Sequence, residues 1–135
     1  MMQRIKKIAS PQSQLNEKPG VFTHTSLMTL AKGIGKEALK GLELAMILNI
    51  SATAIIRSAA DITDTPLTAE GSEYNRIAVT QSCLLRWKEL TQNAKTKDRL
   101  KSLERALREI GKGDIADQLV EHHQNNQELT QDLFE

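Results

Sequence analysis

The chain has 135 residues, with 18 Lys and Arg against 17 Asp and Glu and a formal net charge of +1. That length fits one compact domain, large enough for an ordinary core without metal or disulfide staples. Hydrophobic residues at 39% and charged residues at 26% describe a globular chain, and its single cysteine, Cys83, can form neither an internal disulfide nor a zinc cage.

Aromatics are only 3%: Phe22, Tyr74, Trp87 and Phe134. A core with so few rings must be aliphatic. Strand-favouring residues are sparse beside Ala, Leu, Lys, Glu and Gln, so the expected class is all-α. The longest purely apolar run, Leu44 to Leu48, is far shorter than a membrane span. Arg4, Lys6 and Lys7 are followed by no apolar stretch, so no secretory signal is expected. These features predict a soluble cytoplasmic protein, in which the Asn49-Ile50-Ser51 sequon is a chance occurrence.

Residues 1–25 carry Pro11, Pro19, Gly20 and scattered polar groups with no apolar period, which predicts a flexible leader. Ser26 is placed to cap a first helix bearing Leu27, Leu30 and Ala31, ending near Gly33-Ile34-Gly35. A second helix is predicted from about Lys36 to Asn49, with Leu39, Leu42, Ala45, Met46 and Leu48 apolar and inward. Ser51 caps a third with Ala52, Ile55, Ile56 and Ala59 on one face. Asp61 to Ser72 reads as a loop.

Ser72 or Glu73 opens a fourth helix reaching about Asn93, with Ile77, Thr80, Cys83 or Leu84, Trp87 and Leu90 inward. Thr96 caps a fifth with the cleanest stripe in the sequence, Leu100, Leu103, Leu107 and Ile110. Gly111 and Gly113 end it, since glycine tolerates the left-handed geometry beyond a helix. Asp114 caps a sixth helix, turning Ile115, Ala116, Leu119 and Val120 inward. Residues 124–135 form a polar, acidic tail. Six mostly short helices over residues 26–123 predict a six-helix antiparallel bundle.

The order of these elements resembles a death domain, the six-helix bundle of the death-fold superfamily. Leu84-Leu85-Arg86-Trp87-Lys88 late in helix four carries the resemblance, with the Leu100, Leu103, Leu107 ladder and Gly113-Asp114-Ile115-Ala116-Asp117-Gln118-Leu119 after it. Upstream, Leu44-Ala45, Leu48-Asn49-Ile50-Ser51 and Ile55-Ile56 resemble the family's second and third helices. The core implied is Leu84, Trp87, Leu100, Leu103, Leu107, Ile115 and Leu119. One departure stands out: Gly41 occupies a position where the family often has tryptophan, and Leu39 or Leu42 is expected to fill that volume.

No catalytic constellation is present. Gly33-Ile34-Gly35-Lys36 lacks the phosphate-loop pattern, because Leu30 stands at the first glycine position and Glu37 follows the lysine. His122 and His123 are adjacent and diverge on a helix, unlike an i, i+4 metal pair. Cys83 sits beside core positions, where burial leaves a thiol inert. The expectation is a non-enzymatic protein without cofactor, metal or small-molecule substrate.

Charge is distributed unevenly. Residues 1–50 hold seven basic and three acidic groups, 51–85 two and four, 86–112 nine and four, and 113–135 none and six. Separate positive and negative patches favour head-to-tail docking between copies. The resemblance implies homotypic contacts with other death domains, own or heterologous, assembling apoptotic or innate-immune signalling complexes in an adaptor-like role. It places Lys36, Lys40, Arg57, Asp61 and Asp64 at a partner interface. Arg86, Lys88, Arg105, Arg108, Asp114 and Asp117 are the further candidates from the charge pattern. The alternative is a helical nucleic-acid-binding domain using the Arg86–Lys112 basic stripe.

Overall fold

Local capping chemistry sets where the helices begin. The structure is a computed structural model that describes residues 20–37, 39–64, 66–67 and 72–134; most of the leader expected over 1–25 lies outside them. Thr23 caps helix α1 (His24–Gly35), its Oγ1 accepting the Ser26 N–H at 3.1 Å. The expected cap, Ser26, lies one turn further in and is fully buried. Its hydroxyl donates to the Gly20 carbonyl at 2.6 Å and accepts the Leu129 N–H at 2.9 Å. Val21, before the cap, is already in the core.

Ser26→Ala leaves the Leu129 amide without its partner in a buried place. The expected loss is about 1–3 kcal/mol, the cost of one unsatisfied buried polar group. Urea denaturation checks it, with Thr25→Ala, an exposed neighbour, as the control.

Helix α2 (Lys40–Ile47) is shorter than expected and turned differently. Gly41, Leu44, Ala45 and Leu48 face inward at i, i+3, i+4 and i+7, while Leu39 and Met46 are exposed and Leu42 is half-buried. Gly41 is part of the buried stripe, although its lack of a side chain hides it from an apolar count. A β-carbon there would overlap the Thr80 hydroxyl of the facing helix. There is therefore no volume for Leu39 or Leu42 to fill, and no room for an aromatic at this position.

Helix α3 (Ala52–Ile62) starts at the predicted cap: Ser51 Oγ accepts the Ala54 N–H at 3.1 Å. Ile55 is its one buried residue, with Ala54 and Ala59 packed at its margin, while Ile56 points to solvent. Helix α4 (Glu73–Leu90) buries Val79, Thr80, Cys83, Leu84 and Trp87. Leu90, expected inward, is exposed at its end.

Helix α5 (Thr96–Glu109) is capped by Lys95 without a side-chain bond, so Thr96 is its first residue. Leu103, Ala106, Leu107 and Ile110 are buried and Leu100 is half-buried against them. Helix α6 (Gly113–Gln124) starts one residue before the predicted Asp114 cap and buries Ile115, Ala116 and Leu119. Asp114 lies in its first turn, where a carboxylate favours the positive end of the helix dipole.

Three helices end alike. Beyond α5, Gly111 has φ +83°, its N–H donates to the Arg108 carbonyl at 3.1 Å and the Lys112 N–H to Leu107 at 2.8 Å. Asn49 after α2 and Asn126 after α6 also take positive φ with the paired bonds of this cap.

α4 packs on α1, α2 and α3, and α6 packs on α5. α2 touches α1, α3 and α5, so it joins the two halves. The tail returns to the bundle: Leu129 is 2% exposed, and a 3₁₀ turn (Gln131–Phe134) lies against α1 and α6. The fold is an all-α six-helix bundle with no strand among the described residues. None of its helices is long and apolar enough to cross a membrane.

Candidate interaction surface

The candidate charges divide by whether the bundle uses them itself. Arg108 does not point freely into solvent. It donates to Glu104 Oε2 at 2.8 and 3.1 Å and to Asp117 Oδ1 at 2.8 Å, fastening α5 to α6. The hydrogen bonds to Asp117 and then Glu104 raise its already high pKa further. Lys40 Nζ donates to the Ile110 carbonyl at 2.7 Å, a cationic cap on the C-terminus of α5. Lys36 Nζ reaches the Phe134 carbonyl at 3.3 Å. Lys112 pairs with Glu37 and ties the α5–α6 connection to the end of α1. Lys36, Lys40, Arg108 and Asp117 thus stitch the fold.

The other set is different. Arg57, Asp61, Asp64, Arg86 and Asp114 are exposed and make no ion pair among the described residues. Packing of α3 on α4 brings three of them together. Arg57 and Asp61 from α3 and Arg86 and Glu89 from α4 line a cleft of about 390 Å³. Ser58 and Ser82, also in its walls, bring their hydroxyls to 3.3 Å. Each wall carries both charge signs. Glu89 is not among the sequence candidates, because nothing in its own neighbourhood distinguishes it from a solvated helix residue. Lys88 is half-buried and does not line this cleft.

Arg105 is 80% exposed and lies 3.6 Å from Glu109 one turn on. Such a pair is worth well under about 1 kcal/mol in water. It borders a second cleft of about 470 Å³ between α2, α4 and α5, lined also by Leu48, Asn49, Trp87 and Leu90.

Trp87 itself is 3% exposed. Its ring lies 6.0 Å from Phe22, and the Arg99 guanidinium stacks 4.7 Å from the Phe22 centroid and 5.8 Å from Trp87. Arg99 Nε donates to Thr91 Oγ1 at 3.2 Å, which holds the cation over both rings. His123 meets the Phe22 edge at 6.1 Å, and His122 Nδ1 donates to the Gln118 carbonyl one turn back. The two imidazoles diverge.

No group of three or more His, Cys, Asp or Glu suited to a metal occurs among the described residues. Burial pushes the Cys83 thiol up to about 11, with only partial opposition from the Arg86 charge. It is a protonated, poorly nucleophilic thiol at neutral pH.

Of the nine basic residues from Arg86 to Lys112, Arg105, Arg108 and Lys112 face carboxylates of the same chain. The stripe is therefore less positive than its sequence. Compared with known proteins, the chain matches no family model, no curated sequence and no solved structure.

Proposed function

We propose that this chain is a non-enzymatic protein–protein interaction module of the death-domain kind. It assembles signalling complexes by docking on other modules of its type, its own copies included, in an adaptor-like role. The observation that carries this reading is the α3–α4 cleft, where Arg57, Asp61, Arg86 and Glu89 stand exposed without ion pairs among the described residues. A bundle that uses Arg108, Lys40 and Lys112 for its own stability leaves these four for another molecule. Charges of both signs on one surface favour a partner with the reciprocal pattern and disfavour a uniformly charged one. The sequence resemblance around Trp87 and Asp114 to Leu119 supports the same reading.

The test is charge reversal at this cleft. Arg57→Glu with Arg86→Glu should weaken concentration-dependent light scattering of the full chain by about tenfold or more, since like charges then meet across the contact. The melting temperature should stay near wild type, because neither residue holds the fold. Unchanged association would remove this cleft from the interface. Retention of duplex or single-stranded nucleic acid on a filter at low salt, lost on the same reversal, would favour the nucleic-acid alternative instead.

A further inference from the structure

Two surfaces of the bundle each carry a cation and an anion one helical turn apart beside an apolar patch. The solvent face of α3 carries Thr53, Ile56, Arg57, Ala60, Asp61 and, just beyond the helix, Asp64, all exposed. Ile56 and Ala60 form an apolar edge one turn long, and Ile56 is 66% exposed. Arg57 and Asp61 run beside that edge at i, i+4.

The second surface is the cleft between α2, α4 and α5. Its apolar part is Leu48, Trp87 and Leu90, and Leu90 is 63% exposed at its mouth. Its charged wall is Arg105 and Glu109, again at i, i+4. In each helix the cation comes first and the anion four residues later. Side chains at that spacing lie about 6 Å apart on any α-helix. Two such helices laid antiparallel therefore oppose cation to anion at both positions, while a parallel arrangement opposes like charges.

We propose that α3 of one copy seats its Ile56–Ala60 edge in the α2–α4–α5 cleft of a second copy. α3 and α5 then run antiparallel, with Asp61 facing Arg105 and Arg57 facing Glu109. This is helix-in-groove recognition, with the apolar edge supplying burial and the charges supplying direction. The Arg105–Glu109 pair inside one copy is long and exposed, so exchanging it for intermolecular pairs costs little. The inference rests on the interaction-module reading and names which surfaces meet.

Single reversals and their mixture test it. Asp61→Arg alone places two cations opposite each other, and Arg105→Asp alone places two anions. Each variant should lose self-association by about tenfold or more. Mixed together, the two should associate again. The cation introduced on α3 of one variant then meets the anion introduced on α5 of the other, and the second contact is of wild-type character. Ile56→Asp should weaken association, with no recovery on mixing with Asp61→Arg, since both alter the same face of α3. Mixed with Arg105→Asp it should recover, because the unaltered α3 of one copy then meets the unaltered cleft of the other. Sedimentation velocity of the full chains reads all of these, with circular dichroism confirming the fold.

A mixture that stays as weak as its components overturns the pairing. So does Ile56→Asp with wild-type association. If wild type still self-associates in a salt-sensitive manner in those cases, the module reading stands and only the pairing falls. A wild-type chain that is monomeric at every concentration removes the second copy as occupant of the cleft.

Discussion

Trp87→Ala is expected to lower the unfolding free energy by about 3–5 kcal/mol, the range for removing a large aromatic side chain from a core. Trp87 is buried near the end of α4, against the residues that precede α1. Phe22 lies 6.0 Å from it, and Arg99 is held over both rings. Removal takes away the indole's dispersion contacts and also the surface that keeps Phe22 and Arg99 in place. Urea denaturation followed by circular dichroism measures it. A loss below about 1 kcal/mol would place Trp87 outside the cooperative core.

Gly41→Leu is expected to cost about 3 kcal/mol or more, the upper range for overpacking. The β-carbon alone would meet Thr80 Oγ1, Cγ2 and Cβ, so rotating Thr80 replaces one clash with another. Thr80 is also held, its hydroxyl donating to the Arg76 carbonyl at 2.8 Å. Gly35 on α1 approaches the same residue, with a β-carbon there 2.9 Å from Thr80 Oγ1 and 3.1 Å from Ile77 Cα. Two glycines on two helices thus let α1 and α2 close onto one turn of α4. Leucine would gain about 1 kcal/mol in helix propensity over glycine, too little to offset the displacement of α2. Thermal melts of Gly41→Leu and of Gly41→Ala should show the loss growing with side-chain size. Equal or higher stability in either variant would mean that α2 and α4 are not in close contact.

The helices are legible because their caps and stripes are local. Ser51, the Leu103–Leu107 ladder and Gly111 announce themselves by residue type and spacing. The features that differ from expectation need the third dimension. Thr23 and Ser26 are both capping residues three positions apart. Only the return of the tail, with Thr23 Oγ1 donating to Glu128 at 2.7 Å and Ser26 accepting from Leu129, distinguishes their roles. Ile56 reads as core from its neighbours Ile55 and Ala59, but α3 packs on one side only and leaves it outside.

The site divides in the same way. Uneven charge along the chain is visible in the sequence. Which charges are used internally is not, because Arg108–Asp117 and Lys112–Glu37 join residues from different elements. Arg57 and Arg86 are far apart in the chain, and only the packing of α3 on α4 puts them on one cleft.

The salt dependence of self-association tests the central claim most directly. Sedimentation equilibrium of the full chain, over a range of concentrations at low and then high ionic strength, reads it. Exposed charges beyond a Debye length of about 10 Å at 0.1 M salt are largely screened. The account predicts species heavier than the monomer at low salt, dissociating as salt is added. A monomer at every concentration and salt would contradict it, as would an assembly that strengthens with salt.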